Sequence, residues 1–115
     1  MNITIGRIVL YVLSHQDAEN INRRRTNGGT IAERILTGEW PVGAQAHIGN
    51  PVKAWDILPA LVVKVEEVGG PGLFQPPTKL LPTLKVFLDG TDSLWVLRCG
   101  EDEKKKPGSW HWPQR

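Results

Sequence analysis

Three adjacent arginines are the first residues whose type and spacing suggest chemistry. Arg23, Arg24 and Arg25 directly follow Asn22 in a chain whose charges otherwise nearly balance. A guanidinium group offers paired N–H donors to a phosphate or a carboxylate, so this run predicts a site for a small anion. On a helix the three side chains spread over about 200 degrees, and they converge on one anion only if the backbone turns. The alternative is that they stabilise a helix C-terminus, where cations are favoured.

Tryptophan side chains are the second group of candidates. The chain holds five Trp but only one Tyr and two Phe, and Trp110 and Trp112 fall on one face of an extended segment. An indole ring can stack on a nucleobase or fill a small core, and both alternatives stay open for these two residues and for Trp95. His47 and Asn50 lie in an irregular segment with polar and small neighbours. We expect them to recognise polar edges of the same ligand.

Catalytic and metal sites are not indicated by the sequence. None of the three His lies in a recognised catalytic pattern, and Ser109 near His111 lacks the Gly-x-Ser-x-Gly context of a nucleophile. Cys99 is the single cysteine, and the His residues lack the paired spacing that chelates a metal. A Gly-x-x-x-x-Gly-Lys phosphate loop is also missing. We therefore predict a protein that is not an enzyme and that uses no cofactor.

Length and charge narrow the class of protein further. At 115 residues the chain is expected to form a single domain over residues 1–115. Fourteen Lys and Arg against twelve Asp and Glu give a formal net charge of +2, which argues against nucleic acid as the partner. A lone cysteine makes no internal disulfide, the apolar runs are far shorter than the ~20 residues of a membrane helix, and no signal pattern opens the chain. We expect a cytoplasmic protein with no membrane partner.

The Arg run must be positioned by the elements on either side of it. An apolar run over residues 3–13 predicts a strand that bends at Gly6. Ser14 and Asp17 are spaced as in a capping box, which predicts a short helix directly after this strand. A second helix start is predicted after it, from a similar pattern of a capping residue followed by a glutamate. Residues 14–38 are therefore predicted to form a helical insertion.

Further strands are predicted after this insertion. Residues 57–67 form the strongest apolar run, and residues 69–82 are rich in Gly and Pro, which predicts an exposed loop. Residues 84–88 and 93–99 are predicted to form two strands joined by an Asp-Gly turn, a strong hairpin signal. The alternating aromatic pattern of residues 109–113 predicts a closing strand.

Together these elements predict a mainly β protein, or a β-rich α+β one. Short strands, long connections and one helical insertion favour a small, strongly bent antiparallel barrel of the SH3-like type with four to five strands. The alternative is a simple α+β sheet built from the same elements.

Ordered sequence blocks run along almost the whole chain. They are Asn22-Arg23-Arg24-Arg25, His47-Ile48-Gly49-Asn50-Pro51, Val86-Phe87-Leu88-Asp89-Gly90 and Trp110-His111-Trp112-Pro113. With the apolar segments between them, these blocks resemble a family of small uncharacterised proteins of tailed phages and prophages. The resemblance implies an accessory phage protein in the cytoplasm of an infected bacterial host. It implies no particular activity.

The residues and the resemblance lead to one main hypothesis. The chain is predicted to sequester a small anionic, nucleotide-derived signal of host antiphage defence, with arginines on the phosphates and indole rings on the base. Because a small barrel has little room for an enclosed pocket, we expect the site to lie between protomers of a homo-oligomer. The alternative is a protein-interaction adaptor, in the virion or against a host factor, that uses a Trp-lined groove. The predicted ligand-binding residues are Asn22, Arg23, Arg24, Arg25, His47, Asn50, Trp95, Trp110 and Trp112.

Overall fold

The computed structural model of the chain describes residues 2–25, 36, 47–69 and 79–114. The described elements are five strands and one helix. In chain order they are β1 (Ile8–Val12), α1 (His15–Arg23), β2 (Ile57–Val68), β3 (Lys79–Phe87), β4 (Ser93–Val96) and β5 (Trp110–His111). The second helix predicted within residues 14–38 lies almost wholly outside the described residues.

The first strand and the helix form where the local sequence predicts them. Gly6 adopts a φ of 92°, which L side chains disfavour, and the chain turns there, so that β1 starts at Ile8 and not at residue 3. At the start of α1 the Ser14 hydroxyl oxygen accepts from the Asp17 N–H, and the Asp17 carboxylate accepts from the Ser14 N–H. The predicted capping box is therefore confirmed.

All five strands belong to one antiparallel sheet in the order β4-β3-β2-β1-β5. The mainly β fold is confirmed, but the predicted barrel is not closed. β5 is only two residues long, and on its outer side it forms a single bridge, between Trp110 and Glu101. Among the described strands, β4 and β5 do not pair with each other, so they are the two edge strands of this sheet.

The Asp-Gly hairpin forms as predicted. β3 and β4 pair from Phe87 with Ser93 to Leu84 with Val96. β4 ends earlier than predicted, because a turn follows in which Arg98 has a left-handed φ of 48°. The hairpin brings the turn residues between the two strands close to the end of α1.

β3 is longer than predicted. It begins at Lys79, inside the Gly- and Pro-rich stretch 69–82 for which the composition predicts an exposed loop. That prediction is wrong for the last residues of the stretch, and most of the remainder lies outside the described residues. Pro82 is buried within β3 and lies beyond the end of β4, where its missing N–H leaves no strand partner unsatisfied. Its carbonyl accepts from the Cys99 N–H at 2.8 Å.

One face of the sheet carries the hydrophobic core. α1 packs on this face through Ala18 and Ile21, which are both buried. Tyr11 of β1 lies in the core, and its hydroxyl donates to Asp17 Oδ2 at 2.5 Å, which links the strand to the capped helix. On the opposite face several large apolar side chains remain exposed. The most deeply buried core residues are Val9, Leu13, Ile21, Ala60, Val62, Leu84 and Val86.

Candidate functional site

The Arg run lies where α1 ends and meets the β3–β4 hairpin. Arg25 Nη1 donates to Asp92 Oδ1 at 2.6 Å, and Arg25 Nε donates to the Asn50 carbonyl at 3.4 Å. The Arg25 and Asp92 side chains are 5% and 3% exposed, so they form a buried ion pair. Arg24 adds a second guanidinium, whose Nη2 lies 3.3 Å from Asp92 Oδ2. We name Arg24, Arg25 and Asp92 the Arg–Asp cluster.

Two glycines allow the Arg25 guanidinium to approach the backbone closely. Gly49 and Gly90 face each other in an antiparallel bridge. A Cβ atom on Gly49 would lie 2.5 Å from the Asp89 carbonyl oxygen and 3.0 Å from Arg25 Cζ. A Cβ atom on Gly90 would lie 3.0 Å from Arg25 Nη2. These two positions therefore require glycine because of close packing.

The other polar residues of the predicted set also hold this region together. Asn22 exchanges two hydrogen bonds of 2.8 Å with the backbone of the loop before β2. Asn50 Nδ2 donates to Asp89 Oδ2 at 2.7 Å. His47 Nδ1 lies 3.3 Å from Thr91 Oγ1. These contacts join the end of α1, the loop and the hairpin turn into one unit.

The arginines, Asn22, His47 and Asn50 therefore lie together, but beside carboxylates. Arg23 is exposed at the end of α1, and the Arg24 side chain is 32% exposed. Arg25 is engaged by Asp92, so an external anion would have to compete with a buried carboxylate for its guanidinium. The geometry accordingly favours a structural role for Arg25, and it leaves Arg23 and part of Arg24 accessible to solvent.

The three Trp residues of the predicted set do not lie together, because Trp95 is at one edge of the sheet and the other two are at the opposite edge. Trp95 is 66% exposed on β4, at one edge of the sheet. Trp110 is 3% exposed on β5, at the other edge, and its Nε1 donates to the Cys99 carbonyl at 3.0 Å. Trp112 is half-buried and packs edge-to-face on Trp110, with ring centroids 5.3 Å apart and planes at 87°. Trp110 therefore belongs to the core, whereas Trp112 and Trp95 can be reached by a ligand.

A cavity of about 540 Å³ opens beside Trp112, next to the start of β3. This volume falls in the range of about 300–1,000 Å³ that is typical of small-molecule sites. Lys79, Glu101 and Asn2 supply the charged and polar groups of its lining. We name it the Trp112 cavity, and its apolar wall consists of Ile3, Leu80, Leu81, Trp110 and Trp112.

The sequence patterns predict the two Trp residues of this cavity as ligand-binding residues, but they do not predict the residues opposite them. Lys79 and Leu80 fall in the stretch whose Gly and Pro content predicts a loop. The sequence feature that could have predicted this part of β3 is the apolar pair of Leu80 and Leu81, which continues the apolar pattern of the strand across Pro82. Pro82 therefore lies within β3 and does not mark the start of the strand.

His111 lies on the face of β5 opposite to Trp110 and is 5% exposed. Burial lowers the pKa of its ring, and the positive charge of Lys105 lowers that pKa further, so the ring is neutral near pH 7. Its Nδ1 has no hydrogen-bond partner among the described residues. The Ser109 hydroxyl donates to the Lys106 carbonyl at 2.6 Å. Ser109 is therefore bonded to the backbone and not to the imidazole.

Cys99 is expected to resist alkylation in the folded protein. The residue is 3% exposed, and burial raises the pKa of its thiol to about 12, with the Asp17 charge adding to the shift. At pH 8 only about one thiol in ten thousand is then the reactive thiolate. We expect iodoacetamide to label Cys99 at least about a hundred times faster in urea than in buffer, as measured by mass spectrometry. Equal rates would contradict the buried position.

Metal-ligating side chains are scattered through the described ranges. No three His, Cys, Asp or Glu side chains come together there in a way that could hold a metal ion. In the same part of the chain, no helix has the length and apolar character needed to cross a bilayer.

Comparison with known proteins assigns no family to the chain. No protein-family model matches it, and no curated protein or solved structure matches it either. The resemblance to small phage and prophage proteins therefore stays a prediction that rests on the sequence blocks.

Proposed function

We propose that the chain is a non-enzymatic binding protein that holds a small anionic ligand of the nucleotide class in the Trp112 cavity. The observation that carries this proposal is the position of Trp112, whose half-buried ring forms part of the wall of a cavity of ligand size. Planar bases stack on exposed aromatic rings with a free energy of about 1–3 kcal/mol per base.

Trp110 supports the proposal because it holds the Trp112 ring in place. Its own indole is buried and hydrogen-bonded to the backbone, and it packs edge-to-face against Trp112. A ring that is already ordered loses little conformational freedom when a ligand binds, which favours affinity. In this proposal Trp112 contacts the base, whereas Trp110 is a positioning residue.

Charged groups in the lining orient the proposed ligand in the cavity. Lys79 is the cation among the described residues of the lining, and its ammonium group can pair with a phosphate. The Glu101 carboxylate repels phosphate but accepts hydrogen bonds from the amino groups of a base, and Asn2 can donate or accept. We therefore propose that the phosphate lies toward Lys79 and the base toward Trp112 and Glu101.

The proposed site is formed by a single chain. A second protomer is therefore not needed to complete it, in contrast to the expectation from chain length. The homo-oligomer stays a prediction, and light scattering on the purified protein measures it directly. The sequestering of a nucleotide-derived defence signal in an infected host cell is the biological setting that we propose from the resemblance to phage proteins.

Ligand binding is expected to raise the unfolding temperature, and Trp112→Ala is expected to abolish the increase. The panel to be used is cyclic and linear nucleotides and ADP-ribose derivatives, measured by differential scanning fluorimetry. A ligand at 100 times its Kd adds about 2.7 kcal/mol to the free energy of unfolding, which raises Tm by several degrees. Lys79→Ala should weaken binding of phosphate-bearing compounds and spare the uncharged nucleosides.

Two matched variants separate this site from the alternatives. Trp95→Ser removes an exposed indole at the opposite edge of the sheet and should leave the Tm increase unchanged. Arg24→Ala removes the partly exposed guanidinium of the Arg–Asp cluster. If Arg24→Ala abolishes binding and Trp112→Ala does not, the anion binds at the arginines and the cavity proposal is wrong. No increase with any compound would contradict both sites.

A further inference from the structure

The face of the sheet opposite to the core carries a row of side chains that runs across four strands. Ile8 of β1 is paired with Leu61 of β2, Leu61 with Lys85 of β3, and Lys85 with Trp95 of β4. Ile8 is 49% exposed and Trp95 is 66% exposed, while Lys85 is exposed between them. Residues paired in this way point to the same face, so the four side chains form one continuous surface strip.

Apolar side chains extend this strip on the hairpin side. Phe87 lies two residues from Lys85 on β3 and is 44% exposed, and Ile57 of β2 is 45% exposed. Pro59 lies between Ile57 and Leu61 on the same face and is also exposed. We name the row and these three residues the open face. Contiguous exposed apolar surfaces of this kind are found at protein interaction sites and at other binding surfaces.

The charge of the open face is positive. Lys85 forms no ion pair within the part of the chain that the structure describes. Beyond it along the sheet, Glu66 is paired with Arg98 at 2.9 Å and with Lys64 at 3.4 Å, so its carboxylate is already shared by two cations. Lys85, at the centre of the apolar strip, therefore has no carboxylate paired with it among the described residues. A binding partner could supply that carboxylate.

The charge of the open face also argues against a second copy of the chain as its binding partner. Two copies packed by their open faces would bring together surfaces of the same sign, with Lys85 near the centre of each. Like charges opposed in an apolar interface cost several kcal/mol. The charge pattern therefore favours a different, acidic partner.

We propose that the open face binds a protein segment in which apolar side chains flank an Asp or Glu that pairs with Lys85. Trp95 is the central apolar contact, since Trp residues dominate the binding energy of many interfaces. Lys85 supplies orientation, because a carboxylate that enters this apolar surface must find its partner there. This binding surface is independent of the ligand proposed for the Trp112 cavity.

The proposal is tested by selecting random 12-residue peptides from a display library against the immobilised full-length protein. The enriched peptides are expected to carry an acidic residue between apolar ones. Their Kd values, measured by fluorescence anisotropy, are expected to increase at least about thirtyfold with Trp95→Ser and about tenfold or more with Lys85→Glu. Lys104→Glu changes the net charge equally on an exposed turn, and it is the matched control that should leave the Kd unchanged.

A second selection, against the Lys85→Glu variant, gives an independent readout. It should enrich peptides with Lys or Arg at the position where the first selection enriched Asp or Glu. The proposal is overturned if no peptides are enriched, if they lack the acidic residue, or if Trp95→Ser binds them as tightly as the native chain. It is also overturned if light scattering shows a dimer that Trp95→Ser dissociates, because a second copy then occupies the open face.

Discussion

Replacement of Arg25 by alanine is expected to lower the free energy of unfolding by about 3–5 kcal/mol. The variant leaves the Asp92 carboxylate buried at 3% exposure without the guanidinium that contacts it at 2.6 Å. Arg24 Nη2, 3.3 Å from Asp92 Oδ2, is then the remaining cation beside the carboxylate. A buried charge that keeps only this longer, partly exposed contact costs much more than the net gain from the intact pair. Because a domain of this size has only about 6–17 kcal/mol of stability, the loss should be evident in a urea titration followed by Trp fluorescence.

Neighbouring variants show whether the buried pair is the cause. Arg23→Ala removes an exposed arginine from the same run and should lower the free energy of unfolding by far less than Arg25→Ala does, because exposed contacts contribute little. Asp92→Asn should destabilise the protein as well. The double variant Arg25→Ala with Asp92→Asn should cost less than the sum of the two single variants, because their effects share one interaction. Additive losses, or a loss below about 1 kcal/mol for Arg25→Ala, would contradict the buried ion pair.

Gly49→Ala is the second substitution for which we expect a large loss, of about 3 kcal/mol, near the upper end of the usual cost of overpacking. The new Cβ would lie 2.5 Å from the Asp89 carbonyl oxygen and 2.6 Å from Gly90 Cα. These are backbone atoms, so they cannot rotate away as a side chain would. The loop and the hairpin must separate, which also loosens the contacts of Arg25.

Gly100→Ala is the matched control for this prediction. A Cβ atom there would meet nothing within 4 Å, and its φ is not left-handed. The control should therefore fall within about 0.5 kcal/mol of the native chain in the same urea titration. A Gly49→Ala variant as stable as Gly100→Ala would mean that the loop and the hairpin are not in close contact.

Local patterns predicted the elements whose signals lie within a few residues. Ser14 and Asp17 are three residues apart, and their side-chain bonds to each other's backbone are complete within that span. The Asp-Gly turn likewise determines the hairpin from its own residues. Where a structural feature depends only on neighbours in sequence, the pattern is sufficient to predict it.

The role of Arg25 could not be predicted in this way. Its partner Asp92 is far away along the chain, and only the folded hairpin brings the carboxylate to the end of α1. Considered by itself, an Arg run suggests a site for an external anion. The Asp92 carboxylate that binds Arg25 inside the protein cannot be identified from the local sequence. Trp110 and Trp112 show the same limit, since their alternation predicts a shared face but not that one ring is buried and the other accessible.

The pairing of β1 with β5 has a consequence for the order in which the chain folds. Leu10 pairs with His111 and Tyr11 with Trp110, so β1 finds one of its two neighbours only after about 100 further residues have been made. Contacts this distant in sequence slow folding, because a long loop must close before they form. Until residues 110 and 111 leave the ribosome, one side of β1 presents unpaired backbone groups. A nascent chain that stalls before this point is therefore exposed to edge-to-edge association, and its translation rate becomes a determinant of the folded yield.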